Sequence, residues 1–166
     1  MPLETPSVRV RSADLTGPDG ASVSRLVEAY LIQTELEKAT RTGETGTIAR
    51  LPERYRREVE DPACAYEGAT VYLAELGDAP IGVVVVQRSP TTCEIKRVWV
   101  DPSARGLRVG SALMDAALEG GELPVRLTVW EWREDAIRLY RRRGFVPVPS
   151  WEQRPGLVCM ELARQG

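Results

Sequence analysis

The residues best suited to chemistry in this chain run from Val98 to Ser111. An apolar stretch ending Val98-Trp99-Val100 passes into Asp101-Pro102-Ser103-Ala104. It continues through Arg105-Gly106-Leu107-Arg108-Val109-Gly110-Ser111 into a helix-like segment. A strand, a Gly-bearing loop and a helix start, in that order, aim several backbone N–H groups at one point, where the helix dipole also favours negative charge. The chemistry implied is capture of a phosphate-bearing ligand. Histidine is absent. That removes Ser-His-Asp and Cys-His nucleophilic sites and His-based metal centres, and leaves acid–base work to carboxylates, Tyr, Cys, Lys or water. The three cysteines, Cys64, Cys93 and Cys159, are odd in number and widely spaced. They read as reduced thiols, and no metal site is expected.

A second block lies downstream. Val125-Arg126-Leu127-Thr128-Val129-Trp130 reads as a strand, followed by a helix over Glu134 to Arg143. Acidic residues open that helix, arginines close it and Gly144 stops it. The group Arg138, Arg141, Arg142 and Arg143 reads either as a solvated helix end or as a patch for cofactor phosphates.

Together the two blocks resemble the motifs of the GNAT-type N-acetyltransferase superfamily. Its first motif is a strand ending in Val-x-Pro-x-x-(Arg/Gln)-x-x-Gly-x-(Gly/Ala), matched by Val100, Pro102, Arg105 and Gly110. Arg108 stands where the first Gly is commonest; an Arg fits there if its φ is negative. The second motif, Asn-x-x-Ala-x-x-x-Tyr-x-x-x-Gly-Phe, is matched by Ala136, Tyr140, Gly144 and Phe145, with Arg133 in place of Asn. The resemblance covers about Val71 to Phe145 and is strengthened by the order of the two motifs.

It implies an α/β (α+β) fold: a central mixed, mostly antiparallel sheet of six to seven strands, flanked by about four helices. The fourth and fifth strands would splay apart to admit the pantetheine arm of acetyl-CoA. The implied cofactor site comprises Val98, Trp99, Val100, Arg105, Gly106, Leu107, Arg108, Val109, Gly110, Ser111, Arg133 and Tyr140. Exposed backbone groups near Val98 to Val100 would bond the arm, and a backbone N–H would stabilise the oxyanion. Tyr140 occupies the family's general-acid position and Glu94 a position where several members carry the general base. By strand alternation Glu94 would share a face with Lys96, Val98 and Val100. The implied activity is transfer of an acetyl group to a primary amine of a small molecule or peptide. The alternative is a non-catalytic module that binds or senses acyl-CoA. A nucleotide-phosphate loop is the third reading, but the Gly-Lys-(Ser/Thr) ending is missing.

The positioning elements follow from periodicity. Val8 to Arg11 alternates like an edge strand, and Val23, Leu26, Val27, Tyr30 and Leu31 mark one helix face, with Ser22 as its cap. Thr40 to Thr47 reads as a mobile loop. Leu51, Tyr55 and Val59 suggest a short helix, and Arg41 to Gly68 is the expected specificity region. Thr70–Leu76, Ile81–Gln87 and Cys93–Val100 read as an antiparallel meander, the first two joined by Gly77-Asp78-Ala79-Pro80. Val109, Ala112, Leu113, Ala116 and Ala117 share a helix face, ended by Gly120-Gly121. Val125–Trp130 should lie parallel to Cys93–Val100 because a helix joins them. Leu157 to Leu162 forms a last strand beside Phe145 to Val148. Trp99, Trp130 and Trp132 flank the gap mainly as packing, and Trp151 borders the acceptor pocket.

Length fits one domain spanning 1–166. The formal charge of −2 is spread over both signs, so no nucleic-acid partner is expected. No signal-type or membrane-spanning run is present, which points to a cytoplasmic protein without a membrane partner. Homodimers are frequent among similar proteins, and exchange of the final strand offers a route.

Overall fold

The computed structural model describes residues 5–43, 51–121 and 124–163. The chain order is β1 (Val8–Ser12), α1 (Asp19–Thr42), α2 (Glu53–Glu60), α3 (Pro62–Ala65), β2 (Thr70–Leu76), β3 (Ala79–Arg88) and β4 (Cys93–Val100). It continues with a 3₁₀ turn (Pro102–Ala104), α4 (Val109–Leu118), β5 (Val125–Trp130), α5 (Glu134–Arg142), β6 (Val146–Pro147) and β7 (Leu157–Leu162). The strands form one sheet in the order β1-β2-β3-β4-β5-β7-β6. Every neighbouring pair is antiparallel except β4 and β5, which run parallel. This is the expected mixed sheet, with β1 at an edge.

The unbroken apolar run of β3 has a simple cause: both faces of the sheet are covered. Val84 and Val86 pack with α4 residues Val109, Leu113 and Met114. Val83 and Val85 pack on the other side with Val23, Leu26, Val27 and Leu31 of α1. Such burial on two faces replaces alternation by a continuous hydrophobic stretch. On α4 the fully buried positions are Val109, Leu113, Met114 and Ala117, so Met114 takes the core place expected of Ala112. Leu51, Tyr55 and Val59 pack against the α1 layer, but only the latter two lie in α2, which begins at Glu53 behind Pro52.

Three local expectations are corrected. Ser22 is not the cap of α1; the helix begins at Asp19, behind Pro18, with no side-chain cap. Proline presets a helical φ there, and Asp19 puts its charge in the first turn, where the dipole favours it. Asp19 also takes a bidentate bond from Arg11 of β1, at 2.7 and 2.8 Å, which fastens the helix start to the sheet. Next, Thr40 to Thr42 are the last turn of α1 and not loop, and Gly43 ends the helix in the left-handed conformation; the rest of the expected loop, 44–47, lies outside the described residues. Finally, β3 starts at Ala79, so Gly77-Asp78 alone turn the hairpin. Among the described residues, no helix is long and apolar enough to cross a membrane.

Candidate functional site

β4 and β5 pair at only two positions, Cys93 with Val125 and Glu94 with Arg126. Beyond these the strands diverge, and the gap forms a cleft of about 510 Å³. It opens through the sheet: Gly110, Leu139 and Ala136 line it from the α4–α5 side, Tyr30 and Glu37 from α1. The parallel pairing and the splay are therefore where the sequence motifs lead.

At the wide end the chain turns sharply. The Asp101 carboxylate accepts from Ser103 N–H at 3.0 Å and Ser103 O–H at 2.8 Å, capping the 3₁₀ turn. Those bonds hold its pKa below the usual carboxylate value. Gly106 follows with φ +88, then Arg108 with φ +60, and α4 begins at Val109. The expectation of a negative φ at Arg108 is thus overturned. The loop needs a left-handed residue just before the helix, and here an arginine adopts it, at a cost of roughly 1–2 kcal/mol. Its side chain is exposed and makes no hydrogen bond or ion pair with a described residue. The first intrahelical donor is Ala112 N–H, to Arg108 C=O at 3.1 Å. The N–H groups of residues 106–111 have no backbone partner among the described residues, as expected for a helix start. A Cβ on Gly110 would stand 3.2 Å from Leu139 Cδ2, so α4 and α5 approach closely there. Unpaired amides at a helix start beside the cleft, where Gly110 lines it, are donors of the kind that hold a phosphate group.

β4 carries a bulge. Lys96 pairs with Val85 and Trp99 with Val83, so Arg97 and Val98 together stand opposite Val84. Arg97 has φ +57. The extra residue flips the alternation. Cys93, Ile95, Val98 and Val100 consequently pack with the α4 side, whereas Trp99 packs with the α1 side. This corrects the expectation for Glu94: it shares a face with Lys96 but not with Val98 or Val100. Glu94 sits at the closed end of the strand pair and does not line the cleft.

Two ion pairs flank the α1 mouth of the cleft. Arg97 donates from Nε and Nη2 to Glu58 at 2.8 and 2.9 Å, and Tyr66 O–H adds a third bond at 2.6 Å. Burial pushes Glu58 up, but Arg97 outweighs it and holds the pKa below the usual value. Arg133 donates from Nε and Nη2 to Glu37 Oε2 at 3.0 and 2.8 Å, and from Nη2 to Thr34 Oγ1 at 2.7 Å. Trp132 Nε1 reaches the same oxygen at 3.2 Å. The Tyr30 ring lies between the two guanidinium groups, 5.0 Å from that of Arg133 and 5.6 Å from that of Arg97. Trp130 and Trp132 stack at 4.8 Å beside them.

The structure brings Val98, Trp99, Val100, Arg105, Gly110, Arg133 and Tyr140 to one cleft. Gly106, Leu107, Arg108, Val109 and Ser111 form the loop and helix start at its end. Arg105 lies over the Trp99 ring at 4.9 Å. Tyr140 is 6 % exposed, and burial foremost pushes its phenol pKa well up, with Arg133 opposing. Within the arginine group, Arg138 pairs with Asp135 and Arg143 with Asp115, so those two charges serve the helix surfaces. Trp151 lies under Arg126 and does not line the cleft. Sequence reasoning missed Glu37, Glu58 and Lys96. The spacing of Tyr30, Thr34 and Glu37, one helix face at i, i+4 and i+7, was the available signal for the first. Among the described residues no group of His, Cys, Asp or Glu could hold a metal ion.

A family model described as the acetyltransferase (GNAT) family matches residues 32–145. No curated protein matches the chain, whereas 383 chains of solved structures do. An acetyltransferase from Streptococcus agalactiae superposes with a TM-score of 0.69 at 12 % identity, covering 96 % of this chain and 99 % of that one. For the histone acetyltransferase HPA2 and related acetyltransferase from Corynebacterium glutamicum the TM-score is 0.67 at 18 % identity, with 96 % and 98 % covered. Ard1 from Thermoplasma volcanium gives 0.59 at 23 % identity, with 96 % and 99 % covered. At these identities the likeness is one of fold.

Proposed function

The chain belongs to the GNAT family of acetyltransferases, and from that membership we propose that it transfers an acetyl group from acetyl-CoA directly to a primary amine of a small molecule or peptide. One observation carries the reading: two rungs join β4 to β5, the strands then part, and the free amides of residues 106–111 stand at the end of the gap.

Those amides and the α4 dipole would hold the diphosphate, with Arg105 and Arg108 as adjacent cations. When bound, acetyl-CoA supplies the electrophilic acyl carbon and a thiolate leaving group. The bulge takes backbone groups of Arg97 and Val98 out of the β3 ladder. It thereby frees strand donors for the arm and for a developing oxyanion. Tyr140 lines the same cleft; burial keeps its phenol protonated, and Arg133, which opposes that shift, favours release of the proton to the leaving thiolate. The same charge would steady the phenolate afterwards. Glu94, on the α1 face of β4, is proposed to accept the amine proton through water.

The test combines acetyl-CoA binding with thiol release across a panel of amines. Saturable binding and amine-dependent release are expected. Binding without release across a broad panel would favour the non-catalytic acyl-CoA module. Thermal stabilisation by ATP in preference to CoA would overturn both and revive a nucleotide site.

A further inference from the structure

We infer that the acceptor amine carries a carboxylate, as an α-amino acid does, and that Lys96 with the outer N–H groups of Arg97 and Arg133 receives it. The inference deepens the acyltransferase reading and rests on it.

The cleft passes through the sheet, and its α4 end is the one with free amides for phosphate. The other mouth, between α1, the β4 bulge and the Trp132–Arg133 corner, is left for the acceptor. Three cations line the cleft there: Lys96, Arg97 and Arg133. The carboxylates beside them are already engaged. Glu58 holds Arg97 through both oxygens, and one oxygen of Glu37 takes Arg133 and Trp132 together. The pairs cancel as charges but not as donors. Each arginine spends Nε and Nη2 on its carboxylate, and Nη1 of each has no acceptor among the described residues. Lys96 makes no salt bridge with a described carboxylate, although its charge acts on Glu58 from a distance. The mouth therefore presents unused donors, those of the two arginines lying beside the Tyr30 ring.

Two other carboxylates line the cleft, Glu134 and Asp135; both are exposed in the first turn of α5, where the helix dipole favours them, and Asp135 pairs with Arg138. Glu94 lies two residues before Lys96 on the same face, roughly 7 Å along the strand. A zwitterion would set its carboxylate against Lys96 and the arginines, with Glu94, outside the cleft lining, reached by its amine only through water. The Lys96 charge disfavours an ammonium ion beside it, which shifts a bound amine toward its neutral, nucleophilic form. Polyamines and aminoglycoside-like polycations lack the carboxylate that these donors would receive.

The experiment measures calorimetric binding to the full chain saturated with CoA. The probes are N-acetyl amino acids, their carboxamides and N-acetylspermidine; CoA binding is measured separately. The N-acetyl amino acids should bind at least tenfold more tightly than either other class. In Lys96→Met that preference should fall by about tenfold while the Kd for CoA is unchanged. Equal binding of acid and carboxamide, tighter binding of acetylspermidine, or no carboxylate binding despite bound CoA would each overturn the inference. Loss of CoA binding itself would mark failure of the acyltransferase reading, and the inference would fall with it.

Discussion

Two arginines hold left-handed backbone conformations in this chain, and replacing each by glycine should move stability in opposite directions. Arg108→Gly removes a left-handed penalty of roughly 1–2 kcal/mol from an exposed side chain with no described partner. Greater freedom of the unfolded chain returns roughly 0.4–1 kcal/mol. The net is a gain of about 0.5–1 kcal/mol, or a Tm rise of about 1–4 °C for a chain of this size. Arg97→Gly relieves a similar penalty but strips Glu58 of its partner, and the Glu58 side chain is 14 % exposed. Breaking one half of a buried pair costs about 3–5 kcal/mol. Tyr66 O–H still bonds Glu58, so the low end applies, and the net loss is about 2 kcal/mol after strain relief. That corresponds to a Tm fall of about 4–8 °C. Urea unfolding and thermal scans of the ligand-free variants measure both. A destabilised Arg108→Gly, or an Arg97→Gly as stable as the parent, would refute the reasoning that strain dominates at one site and ion pairing at the other.

Tyr140→Phe should lower kcat about 100-fold while leaving the Kd for acetyl-CoA within about twofold; unchanged turnover would remove the phenol from the mechanism. Because burial raises the Tyr140 pKa, its deprotonation should impose no alkaline fall in kcat/KM below about pH 10, which a pH–rate profile checks. Gly110→Glu places a side chain 3.2 Å from Leu139 Cδ2 and a negative charge among the phosphate-facing amides. CoA affinity should drop at least tenfold, about 1.4 kcal/mol, by calorimetry. Asp19 is held at about 2 by Arg11, below its unfolded value of about 3.9. Its contribution to stability is therefore complete above pH 5 and disappears as the pH falls through 2. The urea midpoint of the parent should converge on that of Asp19→Asn across that window.

Much of the sheet was legible because its strands are punctuated by turn residues and its two motifs lie in order. Cys93–Val100, Val125–Trp130 and Leu157–Leu162 start and end where their composition says. What escaped was backbone geometry without a glycine to announce it. Nothing in Glu94-Ile95-Lys96-Arg97 marks a bulge, because left-handed positions in strands are normally read from Gly. The alternation argument therefore ran straight through Arg97 and put Glu94 on the wrong face. The same blindness let Arg108 be imagined with negative φ. Glu37 and Glu58 escaped for another reason. Their roles depend on partners 96 and 39 residues away in sequence, and a charged residue on an exposed-looking helix carries no sign of which distant guanidinium it will meet. Arg133, by contrast, was found as a position but not as a contact: it reaches across to α1.

The two-rung junction between β4 and β5 has a mechanical meaning. A sheet of seven strands transmits load through its ladder, and here that ladder is nearly cut in the middle. The first four strands and the last three are then stitched chiefly by side chains, among them the Ile95–Leu127 layer of the core and the Glu37–Arg133 clasp. A slender guest hydrogen-bonding to both lips of the slit would behave as an eighth strand. Amide protons along both lips would then exchange with solvent more slowly, even with every helix in its place.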